Sequence, residues 1–238
     1  MLTREAYLVA LERDSTSFAD IITGADLATD VPNCPGWTLH DLVLHVGRVH
    51  RWAHGAIVSG EPLDMPDGPD EPAALAGWFA DGSSQLVELL ASTAPDAPAW
   101  TFGPPPRQVS FWYRRQAHET AIHLVDARQA LGEPSAGDPI FAADGVDEVV
   151  SMFFPRQVRR GLMQPPVPGV RIVLDETPDD VYVLAGDGTH PDAPCDALIT
   201  GPAHQVQLAL WGRASLDDLH VEGNRARAYA ILGSPITP

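Results

Sequence analysis

The segment QAHETAIH, Gln116 to His123, holds three potential metal ligands, His118, Glu119 and His123. It differs from the His-Glu-x-x-His pattern of zinc proteases, where two histidines on one helix face hold the ion and the glutamate is the general base. Here the histidines are five apart. At ~100° per residue they stand ~140° apart around a helix, too far to share one ion. Glu119 and His123 are at i and i+4, stacked on one face, and offer a carboxylate oxygen and an imidazole nitrogen. Two ligands on one helix make a weak site. A third must come from another helix, as facing side chains do in a bundle core. His118 is left beside the site or facing solvent.

His40, His45, His50 and His54 share one helical segment. His45 lies between the apolar Leu42, Val46 and Val49, and an imidazole facing inward there needs a metal, a carboxylate or a backbone carbonyl as partner. His50 and His54 sit beside Arg51 toward the helix end and suit a solvated face. On spacing alone, a His45/Glu119/His123 metal site competes with a satisfied core histidine plus a surface Glu–His pair. Asp126, three residues after His123, either orients a ligand imidazole or is a solvated helix aspartate. Trp37 and Trp52, at helix ends, are expected in the core rather than at a pocket mouth. Cys34 has no basic neighbour in sequence to lower its pKa and reads as structural.

The elements that must position these residues follow from periodicity and punctuation. Thr3 caps a first amphipathic helix running to about Ala25. Thr38, with Asp41 three residues on, opens a second from Leu39 to about Val58, stopped by Gly60-Glu61-Pro62. A loop from Pro62 to Pro72 precedes a third helix over Ala73–Leu90, and a second breaker, Pro95 to Pro106, precedes a fourth over Gln108–Leu131. Four helices so connected make a bundle. Beyond Pro139 a helix over Asp144–Arg160 is followed by β-rich runs at 170–174 and 181–184, separated by the turn Thr177-Pro178-Asp179-Asp180. A strand at 197–200, a helix from Gly201-Pro202 through Trp211, a strand at 219–221 and a helix at 226–232 complete the chain. The expected fold class is α+β overall, a four-helix bundle over 1–136 followed by a small α+β domain over 137–238.

Composition excludes several functions. The formal net charge is −17, every one of the 15 basic residues is arginine, and lysine is absent. Such a surface repels nucleic acid and anionic lipid, and the lysine-free, alanine- and proline-rich composition is associated with high-GC genomes. With no apolar run long enough to span a membrane and no leader-like N-terminus, a cytoplasmic location is expected. Cys34 and Cys195 are expected as free thiols.

Two further stretches carry a resemblance. VPNCPGWTLHDLVLHVGRVHRW, with its Pro-Gly-Trp-Thr turn into the helix bearing His45, and RRQAHETAIHLVDAR together resemble the actinobacterial mycothiol-dependent maleylpyruvate isomerase family, part of the wider DinB-like superfamily of metal-binding four-helix bundles. GPAHQVQLALWGR and LHVEGN resemble that family's sterol-carrier-like C-terminal domain. The resemblance implies that His45, Glu119 and His123 are ligands of a divalent metal, zinc in first place, which leaves at least one open coordination position. It implies mycothiol as thiol cofactor or co-substrate, and a small-molecule electrophile as partner. In an isomerase the thiolate adds to the activated double bond of a cis-enoyl diacid, rotation follows, and elimination releases the trans isomer; in an S-transferase the adduct is the product.

The resemblance also assigns Arg213, after the C-terminal helix, a contact with substrate or thiol, in competition with capping its own helix. Arg114 and Arg115, one turn before Glu119, are weaker candidates for that contact, in competition with ion-pairing on an acidic surface. Asn224, in Val221-Glu222-Gly223-Asn224, stands where many relatives carry aspartate. Two other functions remain open at this level: a non-catalytic metal- or ligand-binding module, and a thiol-independent metal hydrolase. The oligomeric expectation is a monomer or homodimer.

Overall fold

The computed structural model describes residues 2–69, 71–186 and 192–238; Asp70, in the expected 62–72 loop, lies outside them. The chain divides into two units, Met1–Ser135 and Ala136–Pro238. Among the described residues no helix is long and apolar enough to cross a membrane.

The first unit is the four-helix bundle expected from periodicity. The Thr3 hydroxyl accepts from the Ala6 amide at 3.2 Å and starts α1 (Arg4–Gly24). Thr38 and Asp41 cap each other at the head of α2 (Leu39–Ser59): the Asp41 amide donates to Thr38 Oγ1 and the Thr38 amide to Asp41 Oδ2. Then follow α3 (Pro72–Ser92) and α4 (Ser110–Ala130). Each helix contributes to a shared core: Phe18 and Ile22 from α1, Leu42, Val43 and Val46 from α2, Leu75 and Phe79 from α3, Leu124 and Ala127 from α4.

Close approach of α2 and α3 depends on a missing side chain. A Cβ at Gly47 would lie 2.3 Å from the Trp78 ring, and that ring also carries the Arg51 guanidinium, 3.9 Å from its centroid. Arg51 is itself tied to the Trp78 carbonyl, so the indole has little freedom to swing. Gly47→Ala is expected to destabilise the bundle by about 1–3 kcal/mol through overpacking, despite alanine's better helix propensity. A urea midpoint equal to or above that of the parent would contradict this.

In the second unit Asp138 caps α5 (Pro139–Glu148), its Oδ1 accepting from the Phe141 amide at 2.8 Å. A π-helical turn, Val149–Phe153, then leads into α6 (Phe154–Arg159). The sequence suggests one uninterrupted helix here. The interruption has a cause in Pro155, which lacks an amide hydrogen and crowds the carbonyl four residues back, so the ladder re-forms one residue wider.

The sheet has the order β2-β1-β3-β4, formed by β1 (Gly169–Leu174), β2 (Val181–Leu184), β3 (Cys195–Gly201) and β4 (His220–Gly223). β1 and β2 are the expected antiparallel pair, β1 and β3 run parallel, and β3 and β4 are antiparallel. Helices α7 (Ala203–Leu210) and α8 (Arg225–Leu232) complete the unit. Asn224 links α8 to the sheet, because its side chain accepts from the Arg227 amide at 3.1 Å and donates to Asp196 Oδ2 at 3.1 Å.

Candidate metal centre

The turn before α2 determines where the site forms. Gly36 adopts φ +84°, a conformation open to glycine at no steric cost. The turn is closed by the Val31 amide on the Trp37 carbonyl (2.9 Å), the Trp37 amide on Cys34 (2.9 Å) and the Cys34 amide on Val31 (3.0 Å). The capping box then fixes the first turn of α2, and His45 follows.

The structure brings His45, Glu119 and His123 together. Both Nε2 atoms lie 3.4 Å from Glu119 Oε1, and all three donor atoms fall within 4.8 Å of one another. Zinc bonds of ~2.0–2.1 Å at tetrahedral angles separate ligand atoms by ~3.3–3.4 Å. The donor set fits such an ion in chemistry, and both Nε2–Oε1 separations fit it in spacing. Oε2 of the same carboxylate receives the Arg115 Nη2 at 2.9 Å, which leaves Oε1 to the two imidazoles. Arg115 is 2% exposed, so it is no surface arginine: it lies one turn before Glu119 on the face α4 turns inward.

His123 is fixed from behind. Asp126 is fully buried, and its Oδ2 lies 2.9 Å from His123 Nδ1; with the Nδ1 proton held there, Nε2 is the free donor to a metal. Asn33 donates to Asp126 Oδ1 at 3.1 Å, and Cys34 Sγ lies 3.7 Å from Oδ2. The cysteine that stands isolated in sequence thus belongs to the carboxylate–imidazole network behind the site. Burial opposes ionisation of both Glu119 and His123, but their contacts outweigh it. His123, His45 and Arg115 hold Glu119 well below the usual carboxylate range, and Asp126, Cys34 and Glu119 hold the His123 imidazolium well above the usual histidine range.

The pH dependence follows from these two directions. A lowered carboxyl pKa stabilises the fold above its ordinary 4.5 and loses this as pH falls. A raised imidazole pKa stabilises it below the ordinary 6.5 and loses this as pH rises toward the folded value. Protein stripped with a chelator should therefore be most stable between pH 4.5 and 6.5, whereas zinc requires neutral imidazole and should move the optimum upward. Thermal midpoints of both forms from about pH 4 to 8 check this; coincident optima would contradict it.

Several neighbours differ from expectation. His45 is half-buried, its ring 5.0 Å from the Trp37 ring at the edge of the bundle rather than in its centre. Trp37 packs on the core margin and also lines a cleft of about 410 Å³ with Leu44, His45, Arg48 and Met65. His50 is fully buried, not solvated: its Nε2 lies 2.8 Å from Thr120 Oγ1, and burial lowers its pKa to about 4, so the ring is neutral. His118 is buried too, edge-on to Tyr7. Helical periodicity locates an apolar face but not a polar residue answered by another helix. Arg213 belongs to the second unit, where its guanidinium donates to the Trp211 carbonyl and lies 5.8 Å from that indole's centroid.

Comparison with known proteins agrees with this architecture. The fold is similar to the crystal structure of the mycothiol-dependent maleylpyruvate isomerase, with a TM-score of 0.63, 17% identity and 93% of each chain covered. A histidine-to-alanine mutant of that isomerase matches with a TM-score of 0.63, 16% identity and the same coverage. No curated protein matches by sequence. Residues 8–128 match the model of the mycothiol maleylpyruvate isomerase N-terminal domain, and residues 141–230 match that of the family's C-terminal domain. With both family domains matched in order, the chain belongs to the mycothiol maleylpyruvate isomerase family.

Proposed function

We propose that the chain is a divalent-metal enzyme that uses mycothiol to isomerise or S-conjugate a small electrophile, with zinc the ion best suited to a two-imidazole, one-carboxylate set. The observation that carries this reading is the convergence of His45, Glu119 and His123 at 3.4 Å spacings beside a cleft. Bound there, the metal supplies a Lewis acid with an open position and, toward a thiol, stabilisation of the thiolate at neutral pH.

The chain's own residues have distinct roles. His45 and His123 would each offer a neutral imidazole nitrogen to the ion, and Glu119 would offset its charge. Arg115 holds the second oxygen of Glu119, and Asp126 holds the His123 tautomer. Arg213, whose terminal Nη1 donates to the Trp211 carbonyl, is assigned to an anionic group of substrate or thiol.

The test is elemental analysis of protein produced with zinc supplied, followed by cis-to-trans isomerisation assays with maleylpyruvate and S-conjugation assays with simple electrophiles. About one zinc per chain is expected, as three protein ligands with an open position imply, with turnover only when mycothiol is present. Metal-free protein would overturn the reading. Turnover independent of thiol would replace it with metal-activated water.

A further inference from the structure

The cleft beside His45 contains a cation that the proposed chemistry has not used. Arg48 follows His45 by three residues on α2, so the two side chains emerge on one face about 5–6 Å apart at Cβ. Both line the cleft of about 410 Å³, with Trp37, Leu44 and Met65.

The fixing of Arg48 is uneven. Its Nε donates to the Pro66 carbonyl at 2.6 Å, which sets the plane of the guanidinium. Its Nη2 lies 3.8 Å from Asp67 Oδ1, and that aspartate is fully exposed. An exposed ion pair of this length contributes little and is readily exchanged. The terminal nitrogens are thus oriented by a backbone anchor but only weakly engaged, the arrangement in which a guanidinium receives a carboxylate through two parallel hydrogen bonds. The cleft's own acid, Asp41, is committed elsewhere: its Oδ2 accepts from the amide and the hydroxyl of Thr38 in the α2 cap.

We infer that Arg48 is a specificity-determining residue whose guanidinium binds a carboxylate of the substrate in this cleft. The inference rests on the proposed metal chemistry at His45, Glu119 and His123, but it is read by binding rather than turnover. In a chain of net charge −17, an arginine lining this cleft offsets the field that otherwise repels an anionic substrate, whereas Arg115 is committed to Glu119.

The experiment is calorimetric titration of zinc-treated full-length protein with maleate and, separately, with its uncharged analogue maleamide. Parent, Arg48→Gln and Arg48→Lys proteins are compared, with thermal midpoint and zinc content recorded for each. Arg48→Gln should weaken maleate by about 10- to 100-fold, the range for losing a charge-assisted pair. Maleamide binding should not change, and Arg48→Lys should fall between. Equal affinity of parent and Arg48→Gln for maleate, an equal loss for both probes, or no maleate binding by the parent would each overturn the inference. Failure of the enzyme reading is seen separately, as absent zinc or absent thiol-dependent turnover, while the difference between maleate and maleamide still reports on Arg48.

Discussion

His123→Ala is expected to leave protein that folds but retains no zinc after dialysis against a weak chelator. The substitution removes the imidazole whose Nε2 lies 3.4 Å from Glu119 Oε1. The half-buried His45 and a carboxylate already shared with Arg115 remain. Loss of a partner behind a ligand typically weakens metal binding 10- to 100-fold, so loss of the ligand itself should exceed about 100-fold. Thiol-dependent turnover should fall with the metal. Folding should survive, because the core formed by Phe18, Leu42, Val46, Phe79 and Leu124 does not include His123. Asp126 would lose its imidazole partner but keep Asn33 and Cys34, which limits the stability cost to about 1–3 kcal/mol. Zinc retained at the parent's stoichiometry would show that these three residues do not form the site.

Much of the bundle was legible because its signals are local. Thr3, Thr38 with Asp41, and Gly60 each carry a capping preference that acts within a turn, and these residues bound α1 and α2 in the structure. The pairing of Glu119 with His123 was legible for the same reason, since i and i+4 on a helix are neighbours whatever surrounds them. The environment of His50 and Arg115 was not. Both have polar types that suit solvent, and both are buried because a partner meets them: Thr120 from α4 for His50, Glu119 one turn on for Arg115.

Long-range pairing was equally hidden. The strands at 170–174 and 181–184 announce a hairpin through Pro178 and two aspartates, but nothing near β1 indicates that Ile172 lies beside Ile199 in a parallel pair. The π turn at Val149–Phe153 interrupts a segment whose hydrophobic spacing reads as plain helix, although Pro155 carries the warning. The family-like stretch and the candidate metal ligands overlap at His45 because the Pro-Gly-Trp-Thr turn has two roles. It starts α2, and it delivers Asn33 and Cys34 to Asp126.

That second role makes Asp126 the residue where metal affinity and stability should be most strongly coupled. Asp126→Ala removes the acceptor of the His123 Nδ1 proton and of the Asn33 amide and the nearest carboxylate to the Cys34 thiol, all around a carboxylate with no exposed surface. In chelator-treated protein the loss should be about 2–5 kcal/mol, the range for breaking a buried charged pair. Zinc affinity should fall about 10- to 100-fold as the His123 ring loses its tautomer and orientation. Asp126→Asn separates the two effects. Its amide oxygen still accepts from Nδ1, so the tautomer survives, but the negative charge that holds the imidazolium is gone. Asp126→Asn should therefore lose stability in the metal-free protein while keeping most of its zinc affinity, read by denaturant midpoints and chelator competition respectively. If Asp126→Ala binds zinc as tightly as the parent, the carboxylate supports only the fold, and the site's geometry comes from α2 and α4 alone.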